Sequence, residues 1–213
     1  MAIILNNMET AMKLLNCRGM ACPQPVIRSR ELVDAGTAEL EVLVDNEPAA
    51  ENVERFLRGR GYAVDRAKEG DGLWRLTARA GEGAAVGANP VRAETASGLG
   101  REAGTLVLIT TESLGRGDEG LGEKLMTNFL ATLPELGSRL WRLVLLNGGV
   151  KLAARPGPAL EALQSLAQSG VSVLVCGTCL AHYGLLEAKA VGETSNMLDI
   201  VTSLDLADKI IRP

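Results

Sequence analysis

Residues 81–103, beginning Gly-Glu-Gly-Ala-Ala-Val-Gly-Ala-Asn-Pro, carry Gly, Ala, Ser and Pro without a sustained apolar period. Such a segment has little apolar surface to contribute to a core and reads as a linker. The flanking stretches, 12–80 and 104–213, must then fold around separate cores, which a chain of 213 residues allows. Before the linker the order is strand, helix, strand, helix, strand. Met12–Asn16 reads as a short strand, and Cys22–Ala35 carries Val26, Ile27, Leu32 and Val33 at helical spacing up to Gly36. Glu39–Asp45 alternates, with Leu40, Val42 and Val44 on one side, and Pro48 opens a helix that ends at Gly61. Two short strands are expected around Tyr62–Arg66 and Leu73–Ala78. After the linker, continuous apolar runs at Thr105–Thr110, Leu140–Leu146 and Val171–Val175 alternate with helix-sized segments. This pattern predicts buried, mainly parallel strands with crossover helices, a Rossmann-like three-layer α/β domain whose last helix covers Leu204–Ile211.

Composition narrows the function. Aromatic residues make up 3% of the chain, so the cores are aliphatic and few rings could stack on bases. The net charge of −4 is shared by both halves, and neither half binds a polyanion by bulk charge. The arginines at 55, 58, 60 and 66 read as a solvated helix face, with a small docking surface as the alternative. Nucleic acid is therefore excluded as an expected partner. The N-terminal residues lack the basic and apolar regions of a signal peptide, and the apolar runs are strand-sized. A soluble, cytoplasmic protein without membrane association is expected. In a reducing compartment the four cysteines read as reactive or metal-binding thiols rather than disulfides. They form two pairs, Cys17/Cys22 and Cys176/Cys179.

Cys22-Pro23-Gln24-Pro25 stands where a turn opens a helix, which predicts Cys22 near the N-cap and Pro23 near the first helical position. Unpaired N–H groups at a helix start favour thiolate, the nucleophilic form, and Arg18 adds positive charge nearby. The plainer alternative is a small buried cysteine beside a helix-starting proline. Asn16-Cys17-Arg18-Gly19-Met20-Ala21-Cys22-Pro23-Gln24-Pro25-Val26-Ile27 resembles the signature of the TusA/SirA-like sulfur-carrier family, over about residues 12–80. The resemblance implies a two-layer α+β sandwich in which Cys22 carries sulfane sulfur as a persulfide. It makes Arg18, Gly19, Pro23 and Pro25 the candidate binding residues. Two departures stand out: Asn16 replaces the family's common acid, and Cys17 is extra.

In the second half, Cys176-Gly177-Thr178-Cys179 follows an apolar run and precedes a helical segment expected over Leu180–Ala190. A C-x-x-C at a strand-to-helix junction brings two sulfurs within bonding reach, as thiol–disulfide chemistry requires. Zinc is the competing reading, but the second half of a tetrahedral site is missing and His182, the one histidine, reads as a surface residue. No metal and no cofactor are expected. Gly115-Arg116-Gly117-Asp118-Glu119-Gly120 satisfies G-x-G-x-x-G, yet the next strand ends in Asn147-Gly148-Gly149 instead of an acid. A tight or anion-binding turn is preferred to NAD binding. The phrases Ile109–Glu119, Leu146–Leu152, Cys176–Leu180 and Gly192–Met197 resemble the DsrE-like domain, and the domain order resembles YedF-type proteins. Those are classed as sulfurtransferase-like and associated with selenium metabolism.

The resulting expectation is a sulfur or selenium carrier, with Cys22, Cys176 and Cys179 as catalytic thiols. Cys22 loads from a donor of the cysteine desulfurase type and discharges to an acceptor protein. A relay from Cys22 to the Cys176/Cys179 pair, in which the second thiol can resolve the persulfide as a disulfide, stands beside independent action of the two domains. The alternative function is a non-catalytic redox-sensing or binding module. The DsrE-like resemblance also implies a homo-oligomer through residues 104–213.

Overall fold

The structure is a computed structural model, and it describes residues 12–70, 72–81 and 104–213. The chain divides between Ala93 and Glu94 into two compact units. The expected linker lies outside the described residues beyond Gly81.

The first unit contains β1 (Lys13–Asn16), α1 (Gln24–Asp34), β2 (Glu39–Val44), α2 (Glu47–Gly59), β3 (Tyr62–Lys68) and β4 (Trp74–Ala80). Its sheet has the order β1-β2-β4-β3. β1 and β2 are parallel, joined through α1, while β4 pairs antiparallel with both β2 and β3. Alternation decides the faces: Leu40, Val42 and Val44 of β2 and Leu76 and Ala78 of β4 are fully buried, together with Val53 and Leu57 of α2. The opposite face carries the charges, where Arg75 bridges Glu41 and Glu69. This is the two-layer sandwich. Asn46 caps α2, its side chain accepting from Ala49 N at 2.9 Å. Arg60 departs from the solvated arginine face. Its side chain is 4% exposed and meets Asp34 Oδ1 at 2.5 Å, because it closes α2 against the end of α1.

The second unit contains β5 (Thr105–Ile109), α3 (Glu119–Thr132), β6 (Leu140–Leu145), α4 (Pro158–Gln168), β7 (Ser172–Cys176), α5 (Gly177–His182), β8 (Glu193–Ser195), α6 (Met197–Leu206) and β9 (Lys209–Ile211). Short 3₁₀ segments precede and follow β6. The sheet order is β8-β7-β6-β5-β9, and every neighbouring pair is parallel. From β5 to β8 the chain steps one way across the sheet, and from β8 to β9 it returns. Right-handed crossovers therefore put α3 and α4 on one face and α6 on the other, giving three layers. Arg142 of β6 reaches α6 on that second face, donating to Ser203 Oγ at 2.8 Å. The core is aliphatic, with Leu106, Ile109, Leu143, Leu145, Leu163 and Val175 among its buried members.

Two expected helices differ from the structure. The last one is Met197–Leu206 rather than Leu204–Ile211, because Asn196 caps it by accepting from Leu198 N and Asp199 N, and Lys209–Ile211 pairs with β5 as an edge strand. The helix after the C-x-x-C stops at His182, where Gly184 takes φ 65° and the chain leaves the helical path, so it does not run to Ala190. No helix among the described residues is long and apolar enough to cross a membrane.

Candidate functional site

The two cysteine regions lie in separate units, and the geometry of each stands by itself. In the first, Cys17 follows β1 directly and is buried in the core, its N–H donating to Leu43 O at 2.8 Å. The turn that follows is held at both ends. Asn16 Oδ1 accepts from Arg18 N and Nε at 3.2 and 3.0 Å, and Gly19 N donates to Asp45 Oδ2 at 2.6 Å. Gly19 sits at φ 74°, a conformation that disfavours any Cβ, so the Arg-Gly order follows from the turn. Asp45, at the end of β2, ties the turn to the sheet. It was missed as a site residue because it lies 26 positions from Gly19.

Cys22 is exposed at the close of this turn, joined to Pro23 by a cis peptide bond. The N-cap of α1 is Pro23, and Pro25 occupies the first turn, so Cys22 lies one residue outside the expected cap position. The shift follows from the chain path: Gln24 N is already bonded to Ala21 O at 2.9 Å, and the helix begins only after Pro23. The guanidinium of Arg18 goes to Asn16. Burial pushes the Cys17 thiol up to about 11, with Arg28 opposing weakly. Cys17 is thus a packed side chain, and Cys22 is the accessible sulfur of the pair.

In the second unit the loops after β5, β6 and β7 converge at the carboxyl edge of the parallel strands, where open α/β sheets place their sites. Cys176 is the last residue of β7, buried to 2% and in register with Ser195 of β8. Cys179 is half-buried within α5, and its Sγ accepts the main-chain N–H of Asn147 at 3.2 Å. Tyr183 Oη donates to Asn147 Oδ1 at 2.9 Å, and the ring of Tyr183 carries Lys151 Nζ at 4.9 Å from its centre. Glu112, from the loop after β5, pairs with both Lys151 and Arg155 at 2.5 Å. The helix α5 has six residues, too short for a strong dipole, so the Asn147 N–H is the donor that Sγ meets. Gly149 lets this loop cross close over the end of β5, since a Cβ there would collide with the Ile109 carbonyl. Asn147, Tyr183, Lys151 and Glu112 were not assigned to the site from sequence.

The Gly115–Gly120 loop turns tightly, with Gly115 at φ 86° and Gly117 at φ 128°. Asp118 caps α3 by accepting from Leu121 N at 2.7 Å, so a carboxylate already occupies the helix start where a pyrophosphate would bind. His182 is exposed at the end of α5. Among the described residues no group of three or more His, Cys, Asp or Glu is placed to hold a metal ion.

Comparison with known proteins gives matches to two families. Residues 13–80 match the sulfurtransferase TusA family, and residues 106–213 match the DsrE/DsrF-like family. A protein of Methanocaldococcus jannaschii described as a candidate sulfur carrier, MJ0990, is 38% identical over 71 residues, which are 32% of this chain and 95% of that protein. A SirA-like protein from Desulfitobacterium hafniense is 34% identical, covering 33% of this chain and 100% of that one, with a TM-score of 0.31. The YchN protein of E. coli is 22% identical over 52% of this chain and 99% of its own, with a TM-score of 0.41. The chain belongs to the DsrE/DsrF-like family through its C-terminal half and carries a TusA/SirA-like domain before it. These memberships support sulfur transfer in general, with donor and acceptor proteins as partners.

Proposed function

We propose that this protein carries sulfane sulfur as a persulfide on Cys22 and relays it to Cys179. The observation that carries the reading is the accessible Cys22 thiol, presented by a turn pinned at Asn16 and Asp45, in a segment of the TusA family. Residues 12–80 act as the carrier domain, 81–103 as the tether and 104–213 as the receiving domain. In the loading step, the Cys22 thiolate attacks the sulfane sulfur of a donor persulfide, of the cysteine desulfurase type. The donor S–S bond breaks, its cysteine leaves as thiolate, and a new S–S bond forms at Cys22. Cys179 then repeats the same exchange on the Cys22 persulfide. Arg18, Gly19, Pro23 and Pro25 shape the surface that donor and acceptor proteins meet. A tether of about twenty residues supports relay, because it raises the effective thiol concentration to about the millimolar range. Selenium is handled by the same exchange, selenium replacing the transferred sulfur. The protein works in the cytoplasm as a homo-oligomer through residues 104–213, a reading supported by exposed Leu121 and Leu125 on α3 and Met197 and Val201 on α6.

The test is persulfide mapping by mass spectrometry after incubation with a cysteine desulfurase and cysteine. A 32-Da adduct, about the mass of one sulfur atom, is expected on Cys22 first and on Cys179 later, with Cys22→Ser abolishing both. In a Cys176→Ser/Cys179→Ser variant the Cys22 adduct should persist longer than in wild type. Equal decay, with no sulfur on the C-terminal unit of wild type, refutes the relay. A protein that shows only disulfide or sulfenate after oxidant is a redox sensor instead.

A further inference from the structure

We infer that Asn147 and Tyr183 are positioning residues for Cys179, an assignment that rests on the sulfur-transfer reading for its role and on hydrogen bonds for its geometry. Three bonds close a ring. Tyr183 N donates to Cys179 O at 3.0 Å, Tyr183 Oη donates to Asn147 Oδ1 at 2.9 Å, and Asn147 N donates to Cys179 Sγ at 3.2 Å. Asn147 stands at φ 50°, a left-handed conformation shared by no other non-glycine among the described residues. Asn is one of the few side chains that tolerates this backbone. The conformation turns the main-chain N–H of Asn147 toward Cys179 while its amide oxygen meets Tyr183. The ring of Tyr183 is itself fixed, with Lys151 Nζ over its face at 4.9 Å and His182 edge-on at 5.0 Å. Lys151 in turn is held by Glu112.

A donor aimed at sulfur stabilises negative charge there. That charge is present twice in transfer. When the Cys179 thiolate attacks an incoming persulfide, its electron pair forms the new S–S bond, the donor S–S bond breaks, and the donor sulfur leaves as thiolate. When the Cys179 persulfide discharges to an acceptor thiolate, Cys179 Sγ is the leaving group and regains the pair. Each exchange moves one sulfane sulfur with no net oxidation, so no further reactant is required. The half-buried setting of Cys179 keeps the Asn147 N–H aimed at sulfur with less competition from water.

The test is the rate of iodoacetamide modification of each cysteine in the full-length protein, read by peptide mass mapping. Tyr183→Phe and Asn147→Gly should each slow Cys179 about fivefold, the worth of one hydrogen bond. The double variant should also be about fivefold slow, because both changes remove the same bond. Asn147→Ala should be about fivefold slower again, and glycine recovers that part because it accepts the left-handed backbone. Buried Cys176 staying unmodified in the same samples shows that the fold is intact. Wild-type rates in both single variants, or a double variant about 25-fold slow, overturn the assignment. Alkylation reads the positioning alone. Absence of a persulfide on Cys179 refutes sulfur transfer there without touching this result.

Discussion

Gly149→Ala should unfold the C-terminal unit far more readily than Gly148→Ala, although the two residues are adjacent. At Gly149 an added Cβ would lie 2.9 Å from the Ile109 carbonyl carbon and 3.3 Å from its Cγ2, and closer still to the carbonyl oxygen. Backbone cannot swing away as a side chain can, so the ends of β5 and β6 must separate. The same carbonyl accepts Leu146 N at 2.9 Å, and that bond is strained or lost. Overpacking of about 1–3 kcal/mol plus one hydrogen bond of about 1 kcal/mol gives a loss of about 2–4 kcal/mol. At Gly148 the nearest atoms to an added Cβ lie at 3.5 Å or beyond, ordinary contact, and a change within about 0.5 kcal/mol is expected. Trp74 and Trp141 are the two tryptophans, so a Trp74→Phe background leaves Trp141 on β6 as the reporter of this unit in urea. With a urea slope of about 1–2 kcal/mol per molar, Gly149→Ala should lower the midpoint by about 1 M or more. A midpoint within about 0.3 M of the parent would refute the close-approach argument.

Two further outcomes follow from burial and exposure. Cys17 is fully buried, and its thiol is pushed from 9.0 to about 11, so the unfolded chain ionises this group at lower pH than the native one. The contribution is whole below pH 9 and is lost as pH rises toward 11, about 2–3 kcal/mol in all; urea midpoints should fall over that range more steeply in wild type than in Cys17→Ala, and parallel curves would refute it. Light scattering at micromolar concentration should return a multiple of 22.4 kDa, and Leu121→Glu/Val201→Glu should reduce it; a wild-type monomer would refute assembly.

The strands were legible where apolar patterning has one cause. Leu40, Val42 and Val44 alternate because one face of β2 meets helices and the other meets solvent, while the runs that became β5, β6 and β7 are continuous because helices cover both faces. The short edge strands were not legible. Glu193–Ser195 and Lys209–Ile211 contain three residues each, less than one reading of any period, and their pairing comes from neighbours far along the chain. The same reason explains the misplaced final helix: Leu204, Ile210 and Ile211 are apolar, but two of them belong to a strand. The cap at Asn196 was the local signal available, followed by Asp199 in the first turn.

At the sites, the four cysteines were visible by type and spacing, but their inequality was not. Cys17 and Cys22 are five positions apart, yet one is buried directly after β1 and the other closes an exposed turn. Cys176 and Cys179 are three apart, and the difference between them is whether the residue completes β7 or follows it into α5. What each sulfur meets is set by long-range contacts: Asp45 comes from 26 positions away to hold the turn before Cys22, and Asn147 from 32 positions away to meet Cys179. Neither partner has a local signature, since Asp after a strand and Asn before two glycines are ordinary turn residues. The topology supplies the missing information. Parallel strands with adjacent loops bring the ends of β5, β6 and β7 to one edge, so the phrases beginning at Ile109, Leu146 and Cys176 become neighbours. A residue that looks like turn chemistry in one such phrase is then a candidate to act on a thiol in the next, and the left-handed Asn147 is where backbone conformation and thiol contact coincide.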